Sequence, residues 1–385
     1  MIIQTLNKIA KIGLDGFDGK YEICDTCDAP DGILVRSASL HEMDFPASLL
    51  GIARAGAGVN NIPLDACAEK GIVVFNTPGA NANAVKELAI TALLLASRDV
   101  VGGIEWAKTI TGDDVAKQVE KGKSQFVGPE IMGKKLGIIG LGAIGVLVAN
   151  AAQHLGMKVY GYDPYISLQS AWNLNHHVQK AADINEIYSE CDYICLHAPL
   201  TPETKHSINK ETIATMKDGV RILNLSRADL VCDEDMAEAL ESGKVAKYVT
   251  DFPNANTLKM KNAIPIPHLG ASTPESEDNC AVMAVKELRD YLENGNITNS
   301  VNYPAVSTPF ASALRICICH RNIPNMLSAL STIVSAVGVN IENLINKSKG
   351  EYAYTMIDCD TDIADRVIDT LSSVDGVLRV RCIKK

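Results

Sequence analysis

Near the middle of the chain, three glycines in the order Gly140-Leu141-Gly142-Ala143-Ile144-Gly145 stand directly after the apolar run LGII (136–139) and open a second apolar stretch at 144–155. That placement predicts a strand, a tight turn and a helix, and few folds use the three in this order. The first glycine permits the turn, the second lets backbone approach a pyrophosphate, and the third lets helix and strand pack closely. The helix N-terminus then holds the anion. A further predicted strand, 158–162, ends beside Asp163, 21 residues beyond Gly142, where a carboxylate would accept ribose hydroxyls. No Lys or Arg occurs from 164 to 179, so nothing nearby welcomes a 2′-phosphate, and the pattern favours NAD over NADP.

Short β-rich runs alternate with helical patterns over most of the sequence, which predicts a mostly parallel sheet flanked by helices. Strands are expected at 32–36, 50–54 and 72–76, and after the glycine turn at 193–196, 221–225 and 248–250. Helices are expected at 86–96 and 278–294. Residues 295–309 are rich in Asn, Ser, Thr and Pro without periodicity, which reads as a linker. The order then changes to β-α-β-β-α-β within about 75 residues, the pattern of a small ferredoxin-like sandwich.

Composition narrows the function classes. The chain has 385 residues, 47% hydrophobic, with a net charge of -10, so nothing general attracts it to nucleic acid or an anionic membrane. Its longest run without charge or strong polarity, 136–149, is too short to span a bilayer. The first residues lack the apolar core and cleavage site of a secretory signal. Eleven cysteines without framework spacing read as reduced thiols of a cytoplasmic protein. Cys24 and Cys27 form a CxxC with no second pair for zinc, and no metal site is expected. The run from Gly128 to Lys135 nearly spells a P-loop, but Lys135 replaces the metal-binding hydroxyl and the run precedes a strand.

Hydride exchange between NAD and a carbinol needs a proton carrier near neutral pKa and a cation for the carboxylate. Histidine suits the first role and the planar fork of arginine the second. Arg227 follows the strand at 221–225, and His268 sits in IPIPHLGAST (264–273), between prolines and a glycine. In an open parallel sheet, ligands bind beyond the carboxyl ends of the strands, where both residues are expected. His41, His154, His176, His177 and His206 have no partners at ligand spacing.

The segments RAGAGVNNIPLD (54–65), NTPGANANAVKEL (76–88), GKKLGIIGLGAIG (133–145), LHAPLTPET (196–204), LNLSRADLV (223–231) and PHLGASTPESEDNCA (267–281) together resemble the D-2-hydroxyacid dehydrogenase family. The C-terminal segment is similar to an ACT domain. This resemblance implies a Rossmann-type doubly wound parallel nucleotide domain at 99–280, inserted in a flavodoxin-like α/β substrate domain at 1–98 and 281–305. An ACT domain would follow at 306–385. It implies His268 as the acid/base and Arg227 on the substrate carboxylate and carbonyl. Arg54, Ala55, Gly56, Ala57, Gly58 and Asn81 would line the substrate site. With the glycine turn (Gly140, Gly142, Ala143, Ile144, Gly145) and Asp163, the residues His197, Pro199, Thr204, Ser226, Asp251 and Gly270 would sit on the cofactor. The ACT-bearing members imply 3-phosphoglycerate as substrate, L-serine as effector and a homodimer or homotetramer. Two other readings stay open: another 2-hydroxyacid dehydrogenase acting on hydroxypyruvate or 2-oxoglutarate, and a non-catalytic NAD-sensing scaffold.

Two departures bear on activity. In the family a glutamate four or five residues after the position of Asp251 orients the catalytic histidine. Here those positions are Ala255 and Asn256, and nothing from 252 to 267 is acidic. Asn256 could accept a hydrogen bond from the imidazole without stabilising imidazolium, which predicts a lower His268 pKa than in relatives. In the ACT segment, His320, Asn322 and Asn340 match the positions that hold L-serine in serine-sensitive members. The residue after Pro324 is usually Gly there and is Asn325 here.

Overall fold

The computed structural model describes residues 1–385. Two compact units divide the chain, one of residues 1–80 with 274–385, the other of 81–273.

The second unit is a seven-stranded sheet with helices. Its strands lie in the order Ala263–Pro265, Val245–Thr250, Val220–Asn224, Tyr193–Leu196, Lys135–Ile139, Lys158–Tyr162 and Gln179–Lys180. All neighbours pair in parallel. The chain runs outward from Lys135–Ile139 in one direction and restarts beside it with Tyr193–Leu196, so the order reverses between those two strands. Ligands of such sheets bind at that reversal. The strands are nearly continuous apolar runs because helices cover both faces; Leu136, Ile138, Ile194, Ile222 and Val249 are fully or almost fully buried.

The unit boundaries fall earlier than the sequence suggests. The helix Ala82–Ser97 belongs with the nucleotide sheet. Its Ser97 hydroxyl pairs with the Tyr193 phenol at 2.8 Å, and its Ala96 carbonyl accepts from Arg221 Nε at 2.8 Å. A longer helix, Pro274–Asn294, returns the chain to the first unit. The polar stretch around 100–128 folds into two helices, Val100–Ala107 and Val115–Gly122, and a 3-10 turn.

The first unit holds two sheets. A parallel one runs Glu22–Cys24, Ile2–Leu6, Gly32–Val35, Gly51–Arg54, Val73–Phe75. Its first two strands are not evident in the sequence, because IIQTL is short with polar Gln4 and Thr5 inside it, and Glu22–Cys24 has only three residues. The long helix packs over this sheet. Leu288 lies on Gly32 and Gly51, where an added Cβ would press on its methyls at 3.1 and 3.0 Å. The second sheet is antiparallel, ordered Ile341–Lys349, Tyr352–Cys359, Leu314–Arg321, Val377–Lys384, with helices Met326–Ala336 and Ala364–Ser372. This is the expected ferredoxin-like arrangement.

The antiparallel sheet is not a free module. Alternation along Leu314–Arg321 sends Leu314, Ile316 and Ile318 to its helices and Cys317 and Cys319 into the same core as Ala53, Phe75, Leu288 and Tyr291. Arg315 points the same way as the two cysteines and is fully buried. Its guanidinium forks onto Asp358 at 2.6 and 2.8 Å, and donates to the carbonyls of Asn294, Thr308 and Pro309 at 2.8, 3.2 and 3.0 Å. The segment read as a linker is therefore bound at both ends to the first strand of the sheet that follows it. At the sheet edge, Arg379 donates to the Leu49 carbonyl at 2.8 Å and Arg381 to that of Tyr291 at 2.5 Å.

Candidate active site

In the second unit the glycine turn closes the strand Lys135–Ile139 and opens the helix Ala143–His154. Gly140 has φ +97°, and a Cβ there would meet the His197 carbonyl carbon at 2.6 Å. A Cβ on Gly145 would land on the Gly140 carbonyl oxygen, so the helix can sit this close to the strand only without one. A Cβ on Gly142 would touch no protein atom within 4 Å. Gly142 is thus spared a side chain for something other than packing, consistent with a pyrophosphate approaching its backbone.

Asp163 braces the turn. One carboxylate oxygen accepts from the Leu141 N–H at 2.8 Å, the other from the Tyr165 N–H at 2.8 Å. Each oxygen keeps a lone pair for a ribose hydroxyl. Across the strand reversal, the His197 N–H donates to the Ile139 carbonyl at 2.7 Å, and its Nε2 lies 3.1 Å from the Cys195 sulfur. Burial pushes the His197 imidazole down to about 4, so it stays neutral at physiological pH. Thr204 Oγ1 donates to the Pro199 carbonyl at 2.7 Å and so closes its own loop. Ser226 Oγ donates to the Ala198 carbonyl at 2.7 Å and so ties together the loops after two neighbouring strands.

Three groups that carry charge sit at the carboxyl ends of neighbouring strands. Asp251 follows Val245–Thr250, Arg227 follows Val220–Asn224, and His268 follows Ala263–Pro265. Asp251 is 1% exposed, and its Oδ2 lies 2.8 Å from His268 Nδ1. Its Oδ1 is buried and has no partner. The Phe252 ring lies against the imidazole, with centroids 5.0 Å apart. Arg227 is exposed and donates to the Ser226 carbonyl; its loop is held by Asn224, whose Nδ2 donates to the Arg227 carbonyl at 2.9 Å. Gly270 is buried against Val85, and Asn81 stands at the N-cap position of the helix Ala82–Ser97 without a side-chain capping bond.

Asp251, not Asn256, meets the imidazole, so the cause given for a His268 pKa lower than in relatives is absent. The hydrogen bond to Asp251 raises it, more strongly than burial and the Arg227 charge lower it. Asn256 is exposed in the turn 254–257, where its backbone N–H donates to Asn254 Oδ1, and it does not take the orienting role. The family resemblance gives Asp251 to the cofactor alone. The missed signal was that it is the nearest acid before His268, one strand away.

In the first unit, Arg54 ends the strand Gly51–Arg54 and donates from Nε to the Arg36 carbonyl at 3.0 Å. Burial lowers its pKa, helped by the Arg36 charge. Gly56 has φ +151° and its Cα faces the Arg54 guanidinium, where a Cβ would collide with it. Ala55 is buried, Ala57 and Gly58 are exposed, and the Ala57 carbonyl accepts from Asn76 at 2.6 Å. In the antiparallel sheet, His320 is 2% exposed; Nδ1 contacts the Arg321 carbonyl at 2.7 Å and Nε2 the Thr355 hydroxyl at 2.8 Å. Asn322 and Asn340 are exposed. Asn322 donates to the Gly350 carbonyl at 3.2 Å, and the Asn340 N–H to Asp360 at 3.3 Å. Asn325 has φ +65°, so it fills the left-handed position that glycine usually takes there.

Comparison with known proteins places this geometry. Residues 91–270 match the NAD binding domain of the D-isomer specific 2-hydroxyacid dehydrogenases. D-3-phosphoglycerate dehydrogenase of Haemophilus influenzae is 31% identical, over 96% of this chain and 90% of its own length. That of Synechocystis is 34% identical over 81% of this chain but 56% of its own length, so the chain spans little more than half of some curated relatives. The solved structure of NAD+-bound 3-phosphoglycerate dehydrogenase from Entamoeba histolytica superposes with a TM-score of 0.57 at 27% identity, covering 78% of this chain and 98% of that one.

Proposed function

Because this chain belongs to the D-isomer specific 2-hydroxyacid dehydrogenase family, we propose that it oxidises the C2 carbinol of D-3-phosphoglycerate to 3-phosphooxypyruvate. The observation that carries this reading is the His268–Asp251 pair at the strand ends of an NAD-binding domain. NAD, when bound, accepts the C2 hydride. A carboxylate only accepts hydrogen bonds, so Asp251 keeps the proton of His268 on Nδ1 and leaves Nε2 as the base. Nε2 takes the hydroxyl proton as the C2–O bond becomes a carbonyl. Arg227 holds the substrate carboxylate and steadies the charge growing on the C2 oxygen. Arg54, with the backbone of residues 55–58, and Asn81 fall to the substrate on the family resemblance, and a phosphorylated acid gives a partly buried arginine a reason to be there.

The relatives named for this reaction support 3-phosphoglycerate, the entry to phosphorylated serine synthesis, over an unphosphorylated 2-hydroxy acid. We place the enzyme in the cytoplasm, where eleven unpaired thiols remain reduced, as a homodimer or homotetramer. L-serine is the proposed effector, at His320, Asn322 and Asn340. Both ring nitrogens of His320 are engaged within the fold, so the effector must displace Thr355 or bind through the asparagines.

NADH formation from D-3-phosphoglycerate at alkaline pH, with and without millimolar L-serine, tests the reading. Turnover suppressed by serine supports both parts. Thr355→Val, which frees Nε2 of a bond worth about 1 kcal/mol, is then expected to shift the serine half-inhibition roughly fivefold. Turnover indifferent to serine leaves the ACT sheet structural. Equal turnover of lactate or hydroxypyruvate moves the substrate to the wider family, and tight NADH binding without any turnover makes the chain a scaffold.

A further inference from the structure

The CxxC of residues 24–27 is a motif that the dehydrogenase reading leaves idle. Both cysteines are free, half-buried thiols at the edge of the parallel sheet of the first unit, where Cys24 ends the strand Glu22–Cys24. They touch. The Cys27 thiol is hydrogen-bonded to Cys24, and the Cys24 thiol donates in turn to the Ile3 carbonyl at 3.8 Å. Burial first, then that bond and the charges of Asp28 and Glu22, push the Cys27 thiol up to about 11, so Cys27 is the sulfur that keeps its proton. No third ligand makes a zinc site of the pair. Elsewhere in the chain seven thiols are buried, Cys232 lies by Glu234, and Cys382 lies by the buried Cys317 and Cys359. Two touching, partly exposed thiols without a metal have one chemistry open to them, which is disulfide formation.

We propose that Cys24 and Cys27 are a reversible redox site, which a peroxide closes to a disulfide, and that the closed form weakens the hold of Arg54 on substrate. The step balances in two displacements. The Cys24 sulfur, as thiolate, attacks one peroxide oxygen; the S–O bond forms, the O–O bond breaks, and the departing hydroxide takes up the Cys24 proton as water. The Cys27 sulfur then attacks the Cys24 sulfenic acid; the S–S bond forms, the S–O bond breaks, and a second water leaves with the Cys27 proton. Each sulfur has lost one electron and each peroxide oxygen has gained one. Contact between the thiols lets Cys27 capture the sulfenic acid before it oxidises further.

The residue that carries the consequence is Asp25, inside the CxxC. Its carbonyl accepts from Gln4 Nε2 at 3.2 Å and its Oδ1 from the Thr5 hydroxyl at 2.8 Å, both on the neighbouring strand Ile2–Leu6. Just past that strand, Asn7 Oδ1 accepts from the Ser37 and Ala38 N–H groups at 3.0 and 2.7 Å. The Arg36 carbonyl beside them accepts from Arg54 Nε at 3.0 Å. Disulfide closure draws the two sulfurs from contact to a bond and re-sets the turn that holds Asp25. The shift then passes along hydrogen-bonded elements of one unit to the arginine. This second part rests on the proposed place of Arg54 at the substrate; the redox site does not.

The test treats the full chain with hydrogen peroxide, blocks free thiols with iodoacetamide and weighs the peptide that carries both cysteines. That peptide is expected to be lighter by two hydrogens and to take no label, and to take a label on each cysteine once dithiothreitol has acted. Cys27→Ser removes the second displacement and is expected to leave a sulfenic acid on Cys24 that dimedone captures, whereas Cys24→Ser gives no adduct on Cys27. Oxidised wild type is expected to show a KM for 3-phosphoglycerate raised about fivefold with kcat unchanged, restored by dithiothreitol and absent in Cys24→Ser. Full labelling of both cysteines after peroxide overturns the redox site in the wild type, whether or not the variants fold. A dimedone adduct on Cys27 overturns the order of attack. An unchanged KM in chain shown to be oxidised overturns the link to Arg54. Absence of turnover with any 2-hydroxy acid, with the disulfide formed, overturns the proposed reaction and the link to Arg54 together, and leaves the redox site standing.

Discussion

The surroundings of His268 and those of His320 treat polar groups in opposite ways. Around His268 the protein leaves capacity over: an unpartnered oxygen on Asp251 and an exposed Arg227. Around His320 it uses the capacity up, with both ring nitrogens engaged and the Thr355 hydroxyl also 2.8 Å from the Asn346 amide oxygen. Burial lowers the His320 pKa, whereas a carboxylate raises that of His268. Polar groups with no internal partner mark a place readied for a ligand; closed networks mark a fold that stands by itself.

The largest way to break this contrast is at Arg315, the most closed of these networks. Arg315→Ala strands Asp358 as a buried, uncompensated charge and is expected to cost about 3–5 kcal/mol, read as a lowered urea midpoint. A loss under 1 kcal/mol would mean water reaches Asp358 in the native state. Next comes the open region. Gly145→Val drives a side chain into the Gly140 carbonyl; strain of about 3 kcal/mol weakens NADH binding roughly a hundredfold, read by fluorescence titration. Unchanged affinity would show that the helix can retreat from the strand without harm to the site.

The smallest effect sharpens the comparison. Glu287, on the long helix, also has one buried oxygen without a partner, but it faces only the Asn299 amide, which donates to its other oxygen at 2.5 Å. Burial raises its pKa to about 7. The folded chain therefore keeps a proton that the unfolded chain releases near 4.5, and this group's contribution to stability declines as pH rises from about 4.5 to 7. Glu287→Gln is expected to raise Tm at pH 8 and leave it nearly unchanged at pH 5. Equal effects at both pH values would assign the change to packing instead of the proton.

The nucleotide unit was legible because its demands fall on backbone. Glycine spacing, the apolar strand before it and Asp163 after it are local signals, and the observed strands agree to within a few residues. The ferredoxin-like order was legible for the same reason. What stayed hidden were side-chain partnerships between strands distant in sequence. Asp251 and His268 are joined by neighbouring strand ends, a relation that needs sheet order to be known. His320 is an effector residue by the family resemblance, and the alternation of its strand turns it inward. The composition of 295–309 shows an irregular segment, and nothing in it announces that Arg315 will collect its carbonyls.

That collection has a mechanical consequence. One guanidinium holds the last carbonyl of the helix Pro274–Asn294, two carbonyls of the crossing segment and a carboxylate on the neighbouring strand. The same helix lies on the strand that ends at Arg54. A displacement of the antiparallel sheet by a fraction of an ångström has no slack to disappear into: the crossing segment behaves as a rivet, and its length is as much a specification of the molecule as any residue it contains.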